Sequence, residues 1–327
     1  MIAKWPETIA AFQRNFPFRG FSAPSRQREQ FSHARILIRM YYLFLLFTSI
    51  GMLPRYNSSL AAEVSVDPFW PIWWVGWVPF PIAFGAIRIS FIATSLFATL
   101  SPERRLARLS VSVALLEFVA LYTSVLRLDV DWYVWILTAF LLVFLPDGWR
   151  EPDPFPAAGR ERFLLVFWGC QAVTLLTYSL SGLGKILGAA WQIGTDQAHA
   201  FSPDAAARHI ADRLLNTEEV SILGSWVITH GWIAWPFFLG SLYLLTFSLS
   251  TAFRPALHRW WGIGLILFHI ANYLTINIGF SAHIFLNTLL LVYSPFHPKK
   301  GRVWETLEAL PFFGILAQRI SRIRTPA

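Results

Sequence analysis

Tyr178, Ser181 and Lys185 stand three and four residues apart in the stretch Tyr178-Ser-Leu-Ser-Gly-Leu-Gly-Lys185, so a helix carries all three on one face. A lysine at the end of an apolar helix has two uses. It snorkels to water as an interfacial anchor, or it is held away from water, where the neutral amine is favoured and acts as a general base. Gly182, Gly184 and Gly188 clear side chains from its surroundings, and the 184/188 pair has the small-xxx-small spacing that lets helices approach closely.

A second constellation is Leu267-Phe-His269-Ile-Ala-Asn272-Tyr273. His269 falls near the middle of an apolar run, with Asn272 and Tyr273 one turn further along the same face. Polar groups at that depth in a membrane need partners, so the three are expected to face the interior. They serve either as interhelical hydrogen bonds or as the polar wall of a site for a ring-bearing ligand. Arg88 and Glu117 lie near the middle of adjacent apolar runs and are expected to form a buried structural ion pair. His199, His209, His230 and His283 match no compact zinc spacing and lack accompanying carboxylates, so no metal site is expected. The sequence contains no phosphate-binding glycine loop, dinucleotide fingerprint, nucleophile elbow or His-Glu-x-x-His motif.

The elements that must position these residues are apolar. Hydrophobic residues make up 55% of the chain and charged ones 14%, against roughly 25% in a soluble domain. This composition predicts an all-α, polytopic integral membrane helix bundle in contact with lipid. Tryptophan clusters such as Trp70/Trp73/Trp74/Trp77 and Trp260/Trp261 flank the apolar runs as interfacial belts do. The net charge of +8 sits between the runs, where it sets orientation, and nucleic-acid binding is not expected. The single cysteine, Cys170, precludes an intrachain disulfide.

About eight transmembrane helices are predicted, near 36–53, 79–100, 106–126, 132–146, 161–184, 232–251, 259–276 and 281–295. Residues 1–35 read as a basic cytoplasmic tail without the layout of a cleaved signal, and 296–327 as a second basic tail with a further surface helix ending in Arg319, Arg322 and Arg324. The longest insertion, 185–230, holds an amphipathic helix beginning near Ser202-Pro203-Asp204. With both termini cytoplasmic, about 21 of the Lys and Arg residues fall inside and about 5 outside, which satisfies the positive-inside rule. Lys185, Asp129, Asp131, Trp191 and the insertion then share the periplasmic or extracellular face of an inner (plasma) membrane.

On these motifs the sequence resembles the vitamin K-dependent gamma-carboxylase-like family, whose shared membrane part is called the HTTM domain. The resembling residues are Tyr178-Ser-Leu-Ser-Gly182-Leu-Gly-Lys185 with Trp191, Leu267-Phe268-His269 with Asn272, Ile278-Gly279 and Tyr293-Ser294-Pro295, spread over roughly 36–295. The resemblance implies that Lys185 matches the base that deprotonates reduced vitamin K. It also implies that His269 and Asn272 help bind a reduced quinone, with Tyr178, Ser181, Trp191 and Tyr273 alongside. Animal carboxylases carry a lumenal domain after the spans and a second lysine where this chain has Gly184. The pattern is closer to single-domain bacterial relatives, some associated with maturation or export of secreted peptides. The expected function is therefore a membrane enzyme that uses an outward-facing lysine base, with a quinol, to modify a peptide or small substrate. The alternative is a non-catalytic membrane subunit that docks a secreted peptide or partner protein through the 185–230 insertion.

Overall fold

The computed structural model describes residues 24–51, 68, 70–126, 132–150, 155–195, 199–298 and 303–314, and among them the protein is all helix with no strand. Asp129 and Asp131, most of the N-terminal basic tail, and Lys299, Lys300, Arg302, Arg319, Arg322 and Arg324 lie outside the described residues. Four helices are long and apolar enough to cross a membrane: α1 (Pro24–Gly51), α2 (Phe80–Leu100), α3 (Arg105–Leu126) and, after the short α4 (Tyr133–Leu142), α5 (Ala157–Gly194). Phe47, Ile82, Ile89, Leu100 and Leu137 stand exposed on the outer faces of α1 to α4, a surface suited to lipid. Beyond α5 come α6 (Ala205–Thr217), α7 (Gly224–Thr229), α8 (Gly231–Thr246), α9 (Ser248–Ala252), α10 (His258–Ile276), α11 (Ser281–Asn287) and α12 (Val303–Ala309).

Two boundaries differ from those expected. Helix α1 starts at Pro24, a proline suited to a first turn, so residues assigned to the basic tail are helical. Helix α5 runs through Lys185 and nine residues beyond it, because no proline or β-branched cluster follows to stop it. At about 1.5 Å per residue its 38 residues reach about 57 Å, nearly twice the roughly 30 Å apolar core of a bilayer. The C-terminal segment also docks on the bundle, with Arg254 Nη1 donating to Ala309 O at 2.7 Å and the Tyr243 hydroxyl to Pro311 O at 2.6 Å.

Helix α5 is the centre of the packing and touches α1, α4, α8 and α9. Its buried positions, from Phe163 and Leu164 through Phe167, Gln171, Thr174 and Tyr178 to Gly182, form a stripe at three- and four-residue spacing. Past Gly182 only Ala189 is buried, so the last turns leave the core. Gly182 marks the closest approach to α8: a Cβ there would stand 2.5 Å from the Thr246 nitrogen. Gly184 and Gly188 have open space around them, so the expected small-residue contact falls at Gly182 instead. Immediately beside it the chain breaks between α8 and α9, and Ser179 bridges the break. Its hydroxyl donates to Thr246 O at 3.0 Å and accepts the Leu249 N–H at 2.8 Å.

Further along α5, away from Lys185, the Gln171 amide donates to Leu290 O and, at 2.9 Å, to the Ser294 hydroxyl. Leu290 lies in a π-helical turn, Thr288–Val292, that continues α11 and packs on α10. Such turns disturb the regular backbone ladder, and here a side chain from another helix meets one carbonyl. His258 completes the cluster, lying 2.7 Å from the Ser294 hydroxyl and 3.0 Å from Thr251 O.

The expected Arg88–Glu117 ion pair is not seen among the described residues, whose ion pairs include Arg108–Asp147, Arg150–Glu103 and Arg208–Asp204. The buried stripe of α2 is Ala83, Ile87, Phe91, Ser95 and Ala98. Arg88 is one residue off it, so its side chain leaves the line of contact with α3, and its guanidinium lies 5.2 Å from the Phe84 ring centroid. The most buried arginine is Arg108, which donates to Pro102 O, Leu145 O and Asp147 and so ties the α2–α3 turn to the end of α4.

Gly182→Ala is expected to lower stability by about 1–3 kcal/mol, because the new methyl meets backbone rather than a movable side chain. Gly184→Ala and Gly188→Ala are expected to be neutral or stabilising by up to about 1 kcal/mol. Thermal unfolding of the three variants in one detergent checks the order.

Candidate functional site

The bundle opens beside the upper half of α5 into a cavity of about 740 Å³. One wall is α5 with Thr177, Tyr178, Ser181 and Lys185; the facing walls are α8 and α10; α6, α7, α11 and the start of α4 close the rest. The geometry follows from the seating of α5. Close contact at Gly182 fixes where α5 and α8 touch, and these residues on either side of it face the chamber.

The lining is mostly apolar and aromatic, with Phe237 and Phe238 on α8, Phe268 on α10 and Phe280 before α11. Its polar groups gather at two places. At the deep place, the Asn287 amide donates to the Tyr178 hydroxyl at 2.8 Å, and that hydroxyl lies 2.7 Å from His269 Nε2. Tyr178, His269 and Asn287 are all buried, and His283 packs against the first two with ring centroids at 6.0 and 5.1 Å. His269 Nδ1 is buried with no hydrogen-bond partner among the described residues. At the mouth, Lys185 Nζ donates to the Ser181 hydroxyl one turn back at 3.2 Å, and His209 of α6 faces the same space.

The chamber therefore brings together Tyr178, Ser181, Lys185, His269 and Asn272, residues 91 positions apart in the case of Tyr178 and His269. Trp191 and Tyr273 do not line it. Trp191 is 74% exposed on the overhanging end of α5. Tyr273 is 48% exposed, because the lining face of α10 runs through Phe268, Ala271, Asn272 and Thr275, leaving position 273 on the far edge. Sequence reasoning missed the roles of His209, His283 and Asn287. The first two stood out only as scattered histidines, and Asn287 sits alone in an apolar run; what assigns them is the packing of α6 on α7, α8 and α10 and the meeting of α11 with α5 at the Asn287–Tyr178 bond. Among the described residues, no three of His, Cys, Asp or Glu converge so as to hold a metal ion.

Helix α6, the amphipathic helix expected in the insertion, covers the mouth. Asp204 occupies its N-cap position without a side-chain capping bond and pairs with Arg208 one turn on. A hydrogen bond from Ser202 holds the Asp204 carboxyl below its ordinary range, with Arg208 adding to the effect. Ile210 of α6 packs on Val227 of α7 and Ile276 of α10 in a small apolar cluster of its own. Gly224 permits the crossing, since a side chain there would meet Ser221, Leu214 and the carbonyl of Thr275. His209 lines the chamber at its mouth while remaining exposed. Partial desolvation by its neighbours pushes its imidazole below the ordinary value, the charge of Lys185 pushes the same way, and Asp212 pulls in the opposite direction.

Compared with known proteins, the chain matches no family model, no curated protein and no solved structure. The class that fold and site define is an all-helical bundle, with four helices able to cross a membrane, around one chamber that combines an aromatic wall, a lysine and a buried Tyr–His–Asn cluster.

Two outcomes are expected. Lys185→Gln removes the positive charge beside His209, so the His209 midpoint rises; ¹⁵N-histidine NMR with His209→Gln for assignment reads the shift. Because the folded value is lowered, the stability His209 contributes is present above about pH 6.5 and is lost as pH falls toward the folded midpoint. Tyr178→Phe strips a partner from both His269 and Asn287 and is expected to cost about 1–3 kcal/mol, more than Ser181→Ala at the solvated mouth, as read by chemical denaturation in detergent.

Proposed function

We propose that the protein is a multi-pass membrane enzyme resembling the gamma-carboxylases, in which Lys185 is a general base acting on a weakly acidic hydroxyl in the chamber. The observation that carries this reading is the convergence of Lys185, Ser181, Tyr178, His269 and Asn272, from two distant motifs, on one apolar cavity. Eight crossings, both termini cytoplasmic and the chamber mouth on the outer face of the plasma membrane complete the reading. The short helices α4, α8 with α9, α10 and α11 with its π turn supply the crossings beyond the four long ones.

The chamber suits a quinol. Its volume lies within the range of sites for small organic ligands, its walls offer aromatic rings for stacking, and its deep end holds a buried histidine nitrogen with no protein partner. A reduced quinone held there would supply the acidic hydroxyl and reducing equivalents. Phe237, Phe238, Phe268 and Phe280 would hold the ring, with His269 and Asn272 at its polar edge. Ser181 keeps the Lys185 amine at the mouth, where its lone pair can take a proton. A ligand that fills the chamber would displace water from its apolar walls and strengthen the attraction between ammonium and oxyanion after transfer. His269, buried and bonded to Tyr178, is fixed in place and offers directed hydrogen bonding rather than proton storage.

Lys185→Ala tests the reading. An enzyme of this kind loses turnover by at least the 10²-fold typical of a missing general base, with an unchanged unfolding temperature. Retention of the partner's function by the variant would instead mark a docking subunit for a secreted peptide. Mass spectrometry of the detergent-purified protein for a co-purifying quinone checks the ligand.

A further inference from the structure

The titratable side chains that face the chamber are Tyr133 of α4, Tyr178 and Lys185 of α5, His209 of α6, His269 of α10 and His283 of α11; α7 and α8 contribute none. No carboxylate lines it. Among the described residues Lys185 has no acidic partner within ion-pair distance, and its hydrogen bond goes to a neutral hydroxyl. Lys185 is exposed at the mouth, so its charge is accessible to a ligand that brings its own counter-charge. The second ionisable group at the mouth, His209, is also a base, so both ionisable groups there are bases and no carboxylate stands among the lining residues.

The deep half is different in kind. Phe238, Leu242, Phe268 and Phe280 present rings and an aliphatic side chain, and the Tyr178 hydroxyl is engaged with His269 and Asn287 beneath them. Charge is thus confined to one end and apolar surface to the other.

We propose that the chamber is a binding site for an amphipathic organic anion, with its carboxylate on Lys185 at the mouth and its apolar body against the phenylalanine wall. The shared chemistry is one negative oxygen group on a hydrocarbon body. This rests on the same cavity as the proposed reaction but not on turnover, since an acid already ionised needs no base. Such an anion reproduces the ammonium–oxyanion pair that proton transfer to Lys185 would create, and so competes with substrate.

The test is titration of the full-length protein in a non-ionic detergent with oleate, methyl oleate and acetate, read by native mass spectrometry. Oleate is expected to bind as a one-to-one adduct, and methyl oleate and acetate about tenfold more weakly or not at all, since one lacks the charge and the other the apolar body. Lys185→Gln is expected to weaken oleate by about tenfold or more. Lys185→Arg is expected to retain oleate, because arginine keeps the charge, while losing turnover, because arginine does not release its proton near neutral pH. That pair of results separates this proposal from the base mechanism. Undiminished oleate binding by Lys185→Gln at an unchanged unfolding temperature would overturn the anion site and leave the base reading standing. Equal binding of methyl oleate, equal binding of acetate, or no oleate adduct at all would likewise overturn it.

Discussion

The seating of α5 against the broken α8–α9 pair is the constraint on which the rest depends. Gly182 lets the two backbones meet, and Ser179, three residues earlier, supplies the donor and acceptor that the break between Thr246 and Leu249 requires. Neither feature stands without the other. A larger residue at 182 pushes the helices apart and strands the Ser179 hydroxyl; an unbridged break leaves backbone groups without partners in an apolar bundle, which is costly there. Once α5 is pinned at this point, Thr177, Tyr178, Ser181 and Lys185 on either side of the contact face the chamber.

Polar groups along α5 differ in how many partners hold them, although the Gln171 Oε1 is buried without one among the described residues. Gln171, away from the chamber, reaches a π-turn carbonyl and Ser294 within a closed cluster. Tyr178, at the floor, is held between Asn287 and His269. Lys185, at the mouth, has a single neutral contact. The first cluster fixes α5 against α9 and the π turn, the second fixes the chamber floor, and the third leaves a group free to respond to what enters. Rigidity and reactivity are thus divided along one helix by how many partners each polar side chain has.

Much of this was legible in the sequence for a physical reason: apolar length and three- and four-residue spacing are local properties. The bounds of α2, α3 and α10 agree closely with those read from hydrophobic runs, and Tyr178, Ser181 and Lys185 do share a face. The amphipathic α6 was readable from its Ser-Pro-Asp start. What failed was non-local or depended on one helical step. Arg88 misses the α2–α3 contact because it is one residue off the buried stripe, a rotation that periodicity alone did not resolve. Tyr273 and Asn272 differ by one position and lie on opposite edges of the chamber-facing surface of α10. The role of Asn287 arises only because α11 meets α5 at the Asn287–Tyr178 bond, and no sequence spacing between 178 and 287 encodes that.

The lid deepens the same division. Helix α6 has its own small apolar cluster with α7 and α10, apart from the main core, and begins at an exposed Asp204–Arg208 pair of the kind that contributes little to stability. A cover held by three buried side chains is the least anchored part of the chamber, while the floor is tied into the main core. Elements that must admit a ligand are drawn from the weakly anchored end of a structure. His209 travels with that cover, so the distance between the two basic groups at the mouth is set by how α6 sits. On the proposed anion reading, a ligand whose negative end engages Lys185 would lower the repulsion between Lys185 and a protonated His209, so charge at the mouth would bear on how α6 sits over it.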